Sequence, residues 1–154
     1  MANPKMMPGF AETLARIAVA CWVGGLWAIG YIAAPVLFLH LADKQLAGNL
    51  AGSMFTIMAM VGMVCGFYLL IQRLAQYGGA ALKQAFFWST LVMLLFTLGT
   101  YFGIQPIMES LKEQALPKAV MQSVFSDRFA RWHGISSIVY LIESLLGLVL
   151  LLKQ

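Results

Sequence analysis

The chain has 154 residues, of which 61% are hydrophobic and 10% charged, with a formal net charge of +4. Such a composition, with a mean hydropathy of +0.82, excludes an ordinary soluble domain. The ten Lys and Arg are dispersed and form no basic run, which argues against a nucleic-acid partner and for anchoring at a lipid bilayer.

Four charge-poor apolar stretches organise the sequence, at about Ile17–Leu39, Leu46–Ile71, Gln84–Ile107 and Trp132–Leu152. A hydrocarbon core about 30 Å thick needs roughly 20 apolar residues of helix. Each stretch meets that requirement. The expected fold is all-α: an integral membrane four-helix bundle forming a single domain over residues 1–154, with a kinked first helix and a short interfacial helix before the fourth.

In chain order, the first helix should start within the amphipathic segment Phe10–Arg16, with Pro35 kinking it near its far end. Its apolar run is too long for a signal core of about 7–15 residues, so a retained helix is expected. Leu41–Asn49 reads as a short polar turn, and Gln72–Lys83 as the link between the second and third helices. The third helix is expected to stop near Ile107–Met108, just after Pro106. Glu109–Arg131 then forms the one long polar connection. Within it Val120, Val124, Phe125, Phe129 and Trp132 recur at helical spacing, which predicts the interfacial helix.

Four spans place both termini on one side. Lys5, Arg16, Arg73, Lys83 and Lys153 fall on that side; Lys44, Lys112, Lys118, Arg128 and Arg131 fall on the other. This count is a tie, and the frequent dominance of the first helix leans toward cytoplasmic termini in a bacterial inner membrane. Gly62-x-x-x-Gly66 and Gly99-x-x-x-Gly103, with Gly24, Gly25 and Gly30, indicate close helix packing.

The antiparallel arrangement brings the only two histidines, His40 and His133, to the same membrane face, together with Asp127, Arg128 and Arg131. His133, Ser136, Ser137, Tyr140 and Ser144 then share one face of the fourth helix. Glu143 borders that face about 15 Å deeper than His133. An intramembrane carboxyl group is costly unless paired, protonated or hydrated, and so marks a functional site. The structural alternative is a protonated Glu143 that joins two helices. Likewise, His133 and His40 can be interfacial anchors, and Asp127 can simply pair with Arg131.

Soft ligands are also present. Met54, Met58, Met60 and Met63 crowd the second helix, and Cys21 and Cys65 lie toward the face away from the histidines. His133, His40, Met54 and Met58 are the metal-ligand candidates, of types that suit Cu(I); methionine is equally a gap filler in apolar packing. The two cysteines form neither a disulfide framework nor a CxxC pair. No P-loop, GxSxG, HExxH, EF-hand or dinucleotide fingerprint occurs, which disfavours an enzyme. A b-type haem between His40 and His133 is geometrically conceivable.

Trp22-Val-Gly-Gly25, then Ala34-Pro35-Val-Leu-Phe38, then Ala47-Gly48 and Gly52-x-x-Phe55 resemble the opening of the transmembrane-protein-205-like family, whose bacterial members carry a domain of unknown function. Phe129-Ala-Arg-Trp-His133-Gly-Ile-Ser136-Ser137 resembles that family's entry into its last helix. The resemblance implies a four-helix membrane fold and marks Trp22, Gly25, Pro35, Phe38, Gly48, Gly52, Arg131 and His133 as family-pattern positions. It also implies handling of soft metals or sulfur-bearing compounds. A partial similarity to the copper-resistance D membrane proteins points the same way by analogy alone.

Three functions follow as expectations. The first is binding or permeation of a small molecule or soft metal through the seam His133–Tyr140–Glu143, with Asp127 at its mouth. The second is a non-catalytic accessory subunit of a larger membrane complex, or a homo-oligomer, with no cofactor identified. The third is a haem or quinone redox protein.

Overall fold

The computed structural model describes residues 9–116 and 118–153. Among them the regular structure is entirely helical. Lys5, part of the charge count above, lies outside the described residues. Four helices are long and apolar enough to cross a membrane: α1 (Phe10–His40), α2 (Lys44–Lys83), α3 (Ala85–Ala115) and α4 (Ser126–Leu152). Each packs against two neighbours, in the closed order α1–α2–α3–α4–α1. Short connections force sequential helices antiparallel, so this is an up-down-up-down bundle.

The break expected at Pro35 takes a specific form. The α-helical ladder of α1 gives way to a π-helical segment at Ala28–Ala33 and resumes over Ala34–His40. Proline lacks an N–H, and its ring crowds the carbonyl four residues earlier. For Pro35 that carbonyl belongs to Tyr31, inside the widened turn, where the crowding is relieved. The same device recurs in α3, with a π segment at Thr100–Ile104 followed by Pro106 in the resumed helix Gln105–Ala115. Pro106 therefore does not end α3, contrary to the sequence expectation. The helix runs on to Ala115, turning the buried Leu111 and Ala115 inward and the exposed Glu113 and Gln114 outward.

Local chemistry sets the turns. Asp43 caps α2 by accepting from the Gln45 and Leu46 amides at 2.9 and 3.1 Å. Lys44 Nζ donates to the Phe38 and Leu41 carbonyls at 2.6 and 3.0 Å, closing the end of α1. Gln72–Tyr77, expected in a link, continues α2 as helix. These residues are polar but none breaks a helix. The α-helix stops only at Gly78, whose φ of 53° suits glycine, and a 3-10 segment Gly78–Lys83 follows. The expected interfacial helix is a short 3-10 turn, Val120–Gln122; Phe129 and Trp132 already belong to α4, which starts at Ser126. The long polar connection thus shrinks to about ten residues, because polarity marks the edge of the apolar layer and not the end of the helix.

The core is centred on Trp22, Val19, Val23, Leu69, Met93, Leu94 and Leu150. Trp22 is 1% exposed, and its indole fills a slot on α2. A side chain at Gly62 would strike the indole nitrogen, and a Cβ at Gly66 would lie 3.0 Å from both Trp22 Cη2 and Leu94 Cδ1. Across the α1–α4 contact, a Cβ at Gly147 would come within 2.8 Å of Val23 Cγ1. Small residues here receive large partners, which gives the close packing that helices in lipid require. Gly99 and Gly103 differ: nothing among the described residues lies within 4 Å of a Cβ at either.

Candidate functional site

The inward face of α4 begins at the half-buried Ser136 and Tyr140 and deepens through Glu143, Ser144 and Gly147, all buried. Glu143 is 6% exposed. Its Oε1 lies 2.7 Å from Thr97 Oγ1 on α3, and that same oxygen lies 3.0 Å from the Met93 carbonyl. Thr97 has one hydroxyl proton to share between these two contacts. All three groups are satisfied when Thr97 donates to Met93 and accepts from a protonated Glu143. An ionised Glu143 would take the Thr97 proton and leave the Met93 carbonyl with only its helix partner.

Tyr140, one turn nearer the α4 start, ties α4 to α1. Its hydroxyl donates to the Leu26 carbonyl, with the Gly30 amide beside the same oxygen. Leu26 and Gly30 are the two ends of one ordinary i to i+4 helix bond. The tyrosine hydroxyl occupies the place where the π segment interrupts that ladder. Tyr31 and Phe55 meet the Tyr140 ring edge-on, at centroid distances of 6.0 and 5.4 Å. On α3, Thr100 Oγ1 is buried and has no hydrogen-bond partner among the described residues. It lies one turn beyond Thr97, toward the end of the bundle that holds the start of α4. Nearer that end, Gln105 Oε1 accepts from Thr56 Oγ1 at 3.3 Å, and the ion pair Lys112–Glu109, 2.8 Å long, lies beside Gly52.

The outer residues of the expected seam are not gathered with the inner ones. His133 and Ser137 are exposed. The His133 ring stacks on Phe129 at 6.1 Å and 7°. The Ser137 hydroxyl donates to the His133 carbonyl, and that of Ser144 to the Tyr140 carbonyl, both at 2.9 Å. Asp127 and Arg131 are exposed and form no ion pair with each other. His40 is exposed in the last turn of α1. Among the described residues, no three His, Cys, Asp or Glu side chains converge to hold a metal ion. Met58 and Met63 pack against the core, whereas Met60 is outward-facing and Met54 half-buried.

The structure pairs Thr97 with Glu143 and Tyr31 with Tyr140. The sequence did not single out Thr100 or pair Thr56 with Gln105; buried hydroxyls and amides on facing helices were the available signal. The end of the bundle away from the histidines holds a cavity of about 500 Å³ lined by Arg16, Arg73 and Lys153 among others.

No curated protein and no solved structure matches this chain. Residues 17–117 match the family model described as a domain of unknown function, DUF4149. The match spans α1 to α3, and Glu143 lies beyond it. A polytopic membrane bundle over which that model extends for most of its length, this chain belongs to the DUF4149 family.

Proposed function

We propose that the protein binds and passes a proton or small cation through the interior of the bundle, with Glu143 as the exchanging group. The observation that carries this reading is the buried Glu143–Thr97 pair, with the unpartnered Thr100 hydroxyl one turn away. A carboxyl group at this depth is costly. An amide or hydroxyl could join the helices without an ionisable proton. The donors gathered here are oxygens, which suit a proton or hard cation better than a soft metal. The resemblance to the transmembrane-protein-205-like family favours soft-metal cargo instead, with His40, His133 and the methionines as way stations. Metal content of the purified protein, wild type beside His133→Ala, separates the two. Stoichiometric copper lost in the variant would favour the soft-metal path.

The direct test is proton flux into proteoliposomes carrying a trapped pH dye, under a potassium clamp. Glu143→Gln can keep a hydrogen bond to Thr97 while losing the exchangeable acid. The expected result is flux for the wild type and a fall to the level of empty liposomes for Glu143→Gln, with both proteins monodisperse. Equal flux from both would overturn the proposal.

A second reading, an accessory subunit or homo-oligomer, is favoured by the outward Gly99 and Gly103, which meet no side chain within this bundle. It expects stoichiometric co-purification of a partner in mild detergent, and a lone monomer counts against it. For either reading we propose a bacterial inner membrane with cytoplasmic termini, as the frequent dominance of the first helix favours.

A further inference from the structure

We propose that the bundle end formed by the starts of α1 and α3 and the ends of α2 and α4 carries a binding site for the phosphate of an anionic phospholipid headgroup. The site is the cavity of about 500 Å³ lined by Glu12, Arg16, Gln72, Arg73, Gln84 and Lys153, with Tyr77 and Phe86 on its wall. That volume lies within the usual range of small-molecule sites, about 300–1,000 Å³. Three of its lining residues are cations, and among the described lining residues Glu12 is the one carboxylate. Glu12 is already paired with Arg16 at 2.7 Å, so Arg73 and Lys153 remain without a counter-ion among the described residues.

Arg73 is the better built of the two. Its guanidinium carbon lies 4.0 Å from the centre of the Phe86 ring and 5.4 Å from that of Tyr77. Two aromatic faces fix its direction and supply cation–π attraction. Its Nε is buried and makes no hydrogen bond among the described residues. A buried guanidinium N–H without an acceptor is incomplete, and the planar fork of arginine matches phosphate oxygens. Gln72, whose amide donates to Gln76 Oε1 at 2.7 Å, and Gln84 line the same opening.

The level of the cavity selects a lipid over a free phosphate compound. Tyr77 is half exposed, and Trp88, exposed at the start of α3, donates its indole N–H to the Leu82 carbonyl at 2.8 Å. Tyrosine and tryptophan with one apolar side and one polar tip gather at the headgroup layer. Basic pockets between helices at that layer take acidic headgroups. This site lies at the opposite end of the bundle from the polar approach to Glu143, and does not depend on the permeation reading.

Native mass spectrometry of the delipidated, detergent-solubilised protein tests the assignment, with short-chain phosphatidylglycerol, phosphatidylcholine and inorganic phosphate as probes. Phosphatidylglycerol should be retained in preference to phosphatidylcholine. Lys153→Gln, at the exposed end of α4, and Arg73→Gln should each weaken it about fivefold. Lys153→Gln leaves the core untouched and keeps the test decisive if Arg73→Gln fails to fold. Equal retention of the two lipids, or retention unchanged in Lys153→Gln, would overturn the site. Tight inorganic phosphate binding without lipid preference would overturn its assignment to a headgroup.

Discussion

A hydroxyl and a carboxyl hold the two inter-helix joints on α4. Tyr140 reaches into the backbone of α1, and Tyr140→Phe would leave the Leu26 carbonyl without that donor. The expected loss is about 1–3 kcal/mol of bundle stability, read by thermal unfolding in detergent; an unchanged midpoint would deny the hydroxyl any part in holding α1. Glu143 stood out in the sequence because an acid inside an apolar stretch is rare. Its partner did not, since Thr97 is one of several hydroxyl residues in the spans and only its depth could be inferred. His133 was misleading for a related reason. Sharing a face with Tyr140 on an ideal helix did not bring it inside, because the inward face of α4 closes in only beyond its first turns.

At the level of elements, glycines and prolines carry most of the architecture, but with different jobs. Gly62 and Gly66 are a slot for the Trp22 indole. Gly62→Val should therefore overpack the α1–α2 contact by about 1–3 kcal/mol, whereas Gly99→Ala, with open space beside it, should leave the unfolding midpoint unchanged. A similar loss in both variants would contradict the slot. Both substitutions can be followed by the same detergent melt. The two prolines each follow a π segment, so they redirect the ladder without ending it. That is why helix length was less legible than helix existence. Apolar runs give the spans, but Gln105–Ala115 and Gln72–Tyr77 are helix in a polar sequence, and only their helix-forming residues and the inward Leu111 and Ala115 could have shown it. If Gln105–Ala115 projects from the bilayer as helix, Gln114→Cys should react with a membrane-impermeant maleimide, and Phe102→Cys should not. Protection of Gln114→Cys would place the water boundary further along α3.

For the whole molecule, four spans bring the start of α1 and the end of α4 to one face, while the Thr56–Gln105 pair lies toward the other. With cytoplasmic termini, a fluorescent fusion at the C-terminus should fluoresce and an alkaline phosphatase fusion should be inactive; the reverse pattern would invert the bundle. In that orientation the proposed headgroup cavity and the proposed entrance toward Glu143 would face opposite leaflets. The permeation reading turns on whether the Glu143 acid exchanges its proton. The most direct measurement is infrared difference spectroscopy of the protein in lipid, stepping the pH and comparing wild type with Glu143→Gln. The account predicts a protonated-carboxyl band that bleaches reversibly in the wild type and is missing from the variant. A Glu143 band that stays constant at every pH at which the protein stays folded would contradict it, and would make the group a fixed joint between α3 and α4.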